Sequence, residues 1–187
     1  MRSRYFIILA AQAGLCFALP LLAGCPGMSD TGQGTPVASM IVEGIQSGAE
    51  GCHTPGNEDS LRSRLLDLIN QERTSRGLEA VTLNPQLNQM ATTYGCDMID
   101  GHFFSHTNPY TGEEPGQRAL NAGYIYLAVG ENLAGGQTSP DQVMAEWMAS
   151  PLHRQNILAA QWREAGLGVR TGGEHGVYWI LEFGNPP

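Results

Sequence analysis

Gly130-Glu131-Asn132-Leu133-Ala134 is the stretch on which the reading of this chain turns. Upstream stands Phe104-Ser105-His106. Downstream runs Trp147-Met148-Ala149-Ser150-Pro151-Leu152-His153-Arg154-Gln155-Asn156-Ile157. Each phrase alone carries little; the order and spacing of the three carry more. Two imidazoles and a carboxylate suit a divalent metal or proton transfer.

Working outward, the flanking segments read as alternating helices and strands. Over 60–76, Leu61, Leu65, Leu68 and Ile69 recur at helical spacing. Arg73 and Arg76 suit the negative end of that helix, and Gly77 can stop it. Asn84-Pro85 opens a second helix, a cap followed by a first-turn proline, with Leu87, Ala91, Tyr94 and Met98 on one face and Gly101 at its end. Residues 102–116 read as a loop from Asn108-Pro109, Gly112 and Pro115, and 117–121 as a short helix. The apolar, aromatic and branched run 124–129 reads as a strand, which leaves Gly-Glu-Asn in a loop. Ser139-Pro140-Asp141-Gln142 is a helix start, and Ser150-Pro151 repeats the signature, so one helix stops where another begins. Strands at 166–170 and 177–183 flank a turn at 171–176. This element order implies a sheet with helices packed on it.

The beginning of the chain has a different character. Arg2 and Arg4 precede an almost wholly apolar run that ends in Leu22-Ala23-Gly24-Cys25. That pattern reads as an export signal, and its last four residues resemble a bacterial lipobox, with cleavage before a lipidated Cys25. Pro20 and Gly24 argue against an uncleaved membrane helix. The expected division is a lipoprotein signal at 1–24, a Gly-, Ser-, Thr- and Pro-rich tether at 25–57, and one domain at 58–187.

Cys16 falls in the signal and Cys25 at the lipid site. Cys52 and Cys96 remain, an even pair suited to a disulfide in an oxidising compartment. The alternative is two unrelated thiols; no Cys-x-x-Cys spacing favours a metal. The formal charge is −8, and every basic residue is arginine. Without a basic stripe, nucleic acid is not an expected partner.

From Leu61 to Phe183 the chain resembles the CAP superfamily, which comprises cysteine-rich secretory, antigen 5 and pathogenesis-related 1 proteins, and its bacterial, SCP-like branch in particular. The residues that carry the resemblance include Asn70, Arg73, Leu87, Phe104-Ser105-His106, Arg118, Gly123-Tyr124, Gly130-Glu131-Asn132-Leu133-Ala134, Trp147, Ser150-Pro151, His153-Arg154, Asn156-Ile157, Gly166-Leu167-Gly168 and Trp179 to Gly184. The resemblance implies an α+β fold, a three-layer α-β-α sandwich with a central antiparallel sheet. It also implies a cleft that gathers His106, Glu131 and His153. The eukaryotic pattern adds a glutamate three residues after the tryptophan; here that position is Ser150, which removes one carboxylate.

Those three side chains with water would make an open site for zinc or another divalent cation. Equally, they can hydrogen-bond loops into the sandwich. Asn132 and Arg154 are expected to be buried or half-buried architectural residues, the three tryptophans to be core, and His53, His102 and His175 to lie in loops or at the surface. The function expected is a non-catalytic, lipid-anchored module of the bacterial envelope that binds a protein, lipid or cell-wall ligand. The competing reading is a metal-assisted hydrolase acting on peptide or cell-wall substrates. No Gly-x-Ser-x-Gly or His-Glu-x-x-His motif supports the latter, and Ser105 lies too close to His106 along a loop to make a pair for proton transfer.

Overall fold

The central strands are consecutive in sequence and pair antiparallel: β3 (Glu164–Gly172) and β4 (Gly176–Asn185). The computed structural model describes residues 40–45 and 50–187; the signal, the proposed cleavage point and Cys25 lie outside them. On the far side of β4 lies β2 (Ala128–Gly135), also antiparallel. On the far side of β3 lies the two-residue strand β1 (Thr82–Leu83), which runs parallel to it, giving the order β1-β3-β4-β2. The sheet is therefore mixed, antiparallel except at one short edge. The parallel strand had no sequence signature, since two residues cannot display a period of two.

Alternation along β4 assigns the layers. Val177, Trp179, Leu181 and Phe183 join the core beneath α1 (Glu58–Thr74) and α4 (Pro140–Ala149). Tyr178 and Ile180 join Tyr94 and Met98 of α2 (Pro85–Asp100). The short helices α3 (Pro115–Asn121) and α5 (Pro151–Ile157) complete the two outer layers. This is the expected three-layer α-β-α sandwich, with Trp147, Trp162 and Trp179 all in its core.

Local chemistry explains the boundaries. Asn84 Oδ1 accepts from the backbone N–H groups of Gln86 and Leu87 and so opens α2. Ser139 Oγ does the same for α4 by accepting from Gln142 N–H. Ser150 provides no side-chain cap for α5, which begins at Pro151. Gly166 and Gly168 let α2 settle onto β3: a Cβ at either position would overlap backbone of Leu87 or Ala91.

Cys52 and Cys96 form a disulfide, with Cα atoms 5.1 Å apart. It ties the segment before α1 to α2. Part of the stretch read as tether is docked: Val42 is buried and its N–H donates to Thr138 O, while His53 bridges to Thr171.

Arg73, expected to serve the end of α1, is instead fully buried. Its guanidinium donates to the carbonyls of Glu79, Ile157, Ala159 and Trp162. One cation thus gathers the chain leaving α1 and the chain leaving α5.

Candidate functional site

Glu131 lies in the middle of β2, not in a loop. The aromatic run ahead of it belongs mostly to the approach: Tyr124 is buried, while Ile125 and Leu127 are exposed. Gly-Glu-Asn can form a strand because each residue meets a specific partner from elsewhere. A Cβ at Gly130 would lie 2.7 Å from Asn156 Oδ1 and 2.8 Å from the Trp162 ring, so only glycine gives clearance there. Glu131 then points to the α2/α3 layer, and Asn132 to the α4/α5 layer.

On the α2/α3 side, Glu131 is 4% exposed. His106 Nδ1 donates to its Oε1 at 2.6 Å, and Arg118 of α3 donates to its Oε2 at 2.6 Å. Arg118 also donates to the carbonyls of His106 and Glu113. Its guanidinium lies 3.4 Å above the centre of the Tyr94 ring. The Tyr94 hydroxyl donates to Ser105 O. Arginine, tyrosine and carboxylate together hold the loop that carries His106 against the sheet.

Across β4, directly opposite Glu131, stands Glu182, which is fully buried. Burial pushes the Glu131 carboxyl upward, but Arg118 and the His106 hydrogen bond outweigh it, and the group sits below its ordinary range. For Glu182, burial and then the charge of Glu131 push the same way, and it sits well above that range. Burial opposes the Arg118 charge, yet the charge of Glu131 and its hydrogen bond prevail and keep it protonated.

On the other side, Asn132 is fully buried. Its Nδ2 donates to His153 O at 3.1 Å, and its Oδ1 accepts from Asn156 Nδ2 at 3.0 Å. Trp162 Nε1 donates to Asn156 O. These bonds dock α5 on β2 and so position His153, whose ring lies edge-on to Trp147 with centroids 6.5 Å apart. Burial above all holds the His153 ring below the usual histidine range, which leaves it neutral at neutral pH.

His106 and Glu131 are therefore joined directly, and His153 lies within the electrostatic reach of His106. The three are not arranged as metal ligands. Among the described residues no three His, Cys, Asp or Glu side chains are disposed to hold a metal ion. Glu131 is committed on both oxygens, and the Arg118 cation beside it opposes a second positive charge. Its place is behind His106, where a carboxylate orients the ring through Nδ1 and leaves Nε2 without a partner among the described residues.

Arg154 corrects another expectation. It is exposed and makes no ion pair among the described residues; Asn156, two residues on, is the buried partner of Asn132. Ser105 Oγ accepts from Thr107 N–H within its own loop and is not bonded to the His106 ring. His53, His102 and His175 are exposed as expected, although the His175 ring meets Phe104 and Tyr178 edge-on.

The roles of Arg118 and Glu182 were not foreseen. The only sequence signal for Glu182 is a lone acid in the apolar run Val177-Tyr178-Trp179-Ile180-Leu181-Glu182-Phe183. Beside this network, between α2 and α3, lies a cavity of about 200 Å³ lined by Met90, Tyr94, Asp97, Glu113 and Arg118 among others. It includes neither His106 nor His153.

Comparison with known proteins fits this geometry. Residues 66–183 match the model of the cysteine-rich secretory protein (CAP) family. The uncharacterized protein YkwD of Bacillus subtilis is 32% identical over 129 residues, covering 69% of this chain and 49% of that protein. The uncharacterized membrane protein YlbC of the same organism is 26% identical over 107 residues, covering 57% and 30%. The chain thus spans about half or less of the curated relatives it matches. Among solved structures, an extracellular protein of Bacillus anthracis containing an SCP domain is 27% identical with a TM-score of 0.60, covering 68% of this chain and 41% of that one. An outer surface protein of Borrelia burgdorferi shares the fold at 19% identity and a TM-score of 0.66, covering 72% and 98%. With its sandwich, its Gly-Glu-Asn strand and its match over 66–183, this chain belongs to the cysteine-rich secretory protein (CAP) family.

Proposed function

We propose that this protein is a non-catalytic binding module of the bacterial envelope, held to a membrane by a lipid on Cys25 and engaging a ligand or partner through the cleft at His106 and His153. The observation that carries this reading is the His106–Glu131 bond. It fixes one ring nitrogen as donor and presents the other as a lone pair beside a neutral His153. With Ser105 turned into its own loop, no hydroxyl is paired with the imidazole for acyl transfer among the described residues. A divalent ion at this place has two imidazoles to hold it, with Glu131 acting through His106, and that donor set is a weak one.

Support for an extracytoplasmic location comes from the Cys52–Cys96 disulfide and from the extracellular and outer-surface character of structural neighbours. Support for the anchor is the Leu-Ala-Gly-Cys ending after an apolar run. Among the described residues no helix is long and apolar enough to cross a membrane.

Calorimetric titration of zinc into the purified exported chain tests the cleft. Weak binding lost in both His106→Ala and His153→Ala is expected; binding that survives both substitutions removes the imidazoles from the site. Turnover of peptide or cell-wall substrates that disappears in His106→Ala would establish the hydrolase reading instead. For the anchor, Cys25→Ser is expected to leave uncleaved precursor without acyl label.

A further inference from the structure

Glu182 is a buried acid that ligand binding at the cleft leaves unexplained. It has no exposed surface. Its neighbour on β2 is Glu131, and its neighbour on β3 is Gly166. Over Gly166, α2 lies so close that a single added carbon would strike the Leu87 backbone, which leaves no room for a water layer. Among the described residues no N–H or O–H group donates to either Glu182 oxygen. Directly opposite it in the ladder, on the same face of the sheet, stands the Glu131 carboxyl.

Two ionised carboxylates in such contact repel strongly, the more so away from water. A single proton between them removes the repulsion and supplies the missing donor. Glu131 already has two donors stabilising its negative form, and Glu182 has none among the described residues. The proton therefore belongs on Glu182.

We propose that Glu182 is a carboxylic acid at neutral pH, that its O–H donates to Glu131, and that this shared proton positions Glu131 for His106. The network then carries one positive charge, on Arg118, and one negative charge, on Glu131. Glu182 is faced by Glu131 from β2, Arg118 from α3 and the Tyr94 hydroxyl-bearing ring from α2; His106 is linked to it through Glu131. The chain Glu182 O–H, Glu131, His106 Nδ1–H fixes one tautomer and turns the Nε2 lone pair away from the sheet. Glu182 is a positioning residue, since it touches no ligand.

Infrared spectroscopy of the exported chain at neutral pH tests the proton directly. A protonated-carboxyl C=O band is expected in the wild type and absent in Glu182→Gln, with Glu182→Met as a second variant should glutamine impair folding. A wild type without that band, or a band that persists in both variants, overturns the assignment. Nitrogen NMR of His106 tests the positioning role. The Nδ1–H tautomer should dominate in the wild type and in Glu182→Gln, whose amide can still donate to Glu131, and should become mixed in Glu182→Met. An unchanged tautomer in Glu182→Met removes that role. Stability should also fall as pH rises above the ordinary glutamate range, because the folded-state group is shifted upward and its contribution is complete only below the unfolded value. Glu182→Gln should lack that alkaline loss, and equal losses in both proteins count against the proposal.

Discussion

Glu131 and Asn132 are consecutive in β2, and the pleat sends them to opposite layers. Toward α2 and α3 the strand buries charge: a carboxylate, a guanidinium and a second acid, with His106 at the margin. Toward α4 and α5 it buries neutral amides: Asn132 on Asn156 and on the His153 carbonyl, with the Trp162 indole donating to the Asn156 backbone carbonyl. Both seams attach an outer layer to the sheet edge, and each delivers one imidazole. They differ in what happens when a partner is lost. An amide seam loses hydrogen bonds, whereas a charged seam is left with an uncompensated ion.

The sharpest way to break this comparison is Arg118→Ala. It leaves Glu131 a buried carboxylate without its cation, held by the His106 hydrogen bond, and the expected loss is about 3–5 kcal/mol in denaturant unfolding. A loss near that of an amide deletion would mean the charged seam is energetically ordinary. Next comes the crosslink on the same layer. Cys52→Ala with Cys96→Ala should cost about 2–4 kcal/mol by release of the closed loop, and non-reduced peptide mapping should show the bond in the wild type. Asn132→Ala probes the amide seam, where stranding the Asn156 amide should cost about 1–3 kcal/mol.

Acid titration separates the seams further. The folded-state Glu131 sits below its ordinary range, so its contribution is present above the unfolded value and is lost as pH falls through the folded one. Glu131→Gln should flatten that acid-side slope, while Asn132→Ala should lower the whole curve and leave the slope intact. The smallest effect belongs to Arg154→Ala, which should change stability by less than about 0.5 kcal/mol because the side chain is exposed and makes no ion pair among the described residues. A large loss there would return Arg154 to the architectural role its sequence context suggests.

These seams also mark where sequence reading stopped. Helices were legible because caps, prolines and periodicity are local: Asn84-Pro85 and Ser139-Pro140 open α2 and α4 where expected. Strand β2 was placed too early because Tyr124 to Val129 has the composition of a strand and Gly-Glu-Asn does not. The true strand is stabilised by Arg118, His106 and Asn156, all distant in sequence, and no local propensity encodes them. The convergence of His106 and Glu131 was legible only through family resemblance. Glu182 was hidden because an acid in an apolar run looks like a blemish until its neighbour across the ladder is known.

The packing of Trp147 against His153 has an optical consequence. Among the described residues, Trp147 is the tryptophan in ring contact with a histidine. An imidazolium quenches indole emission far more than a neutral imidazole does, and His153 is held neutral by its surroundings. The protein therefore carries an internal fluorophore bright at neutral pH, dimmed when His153 takes a proton, and placed to report without a label when something enters beside it.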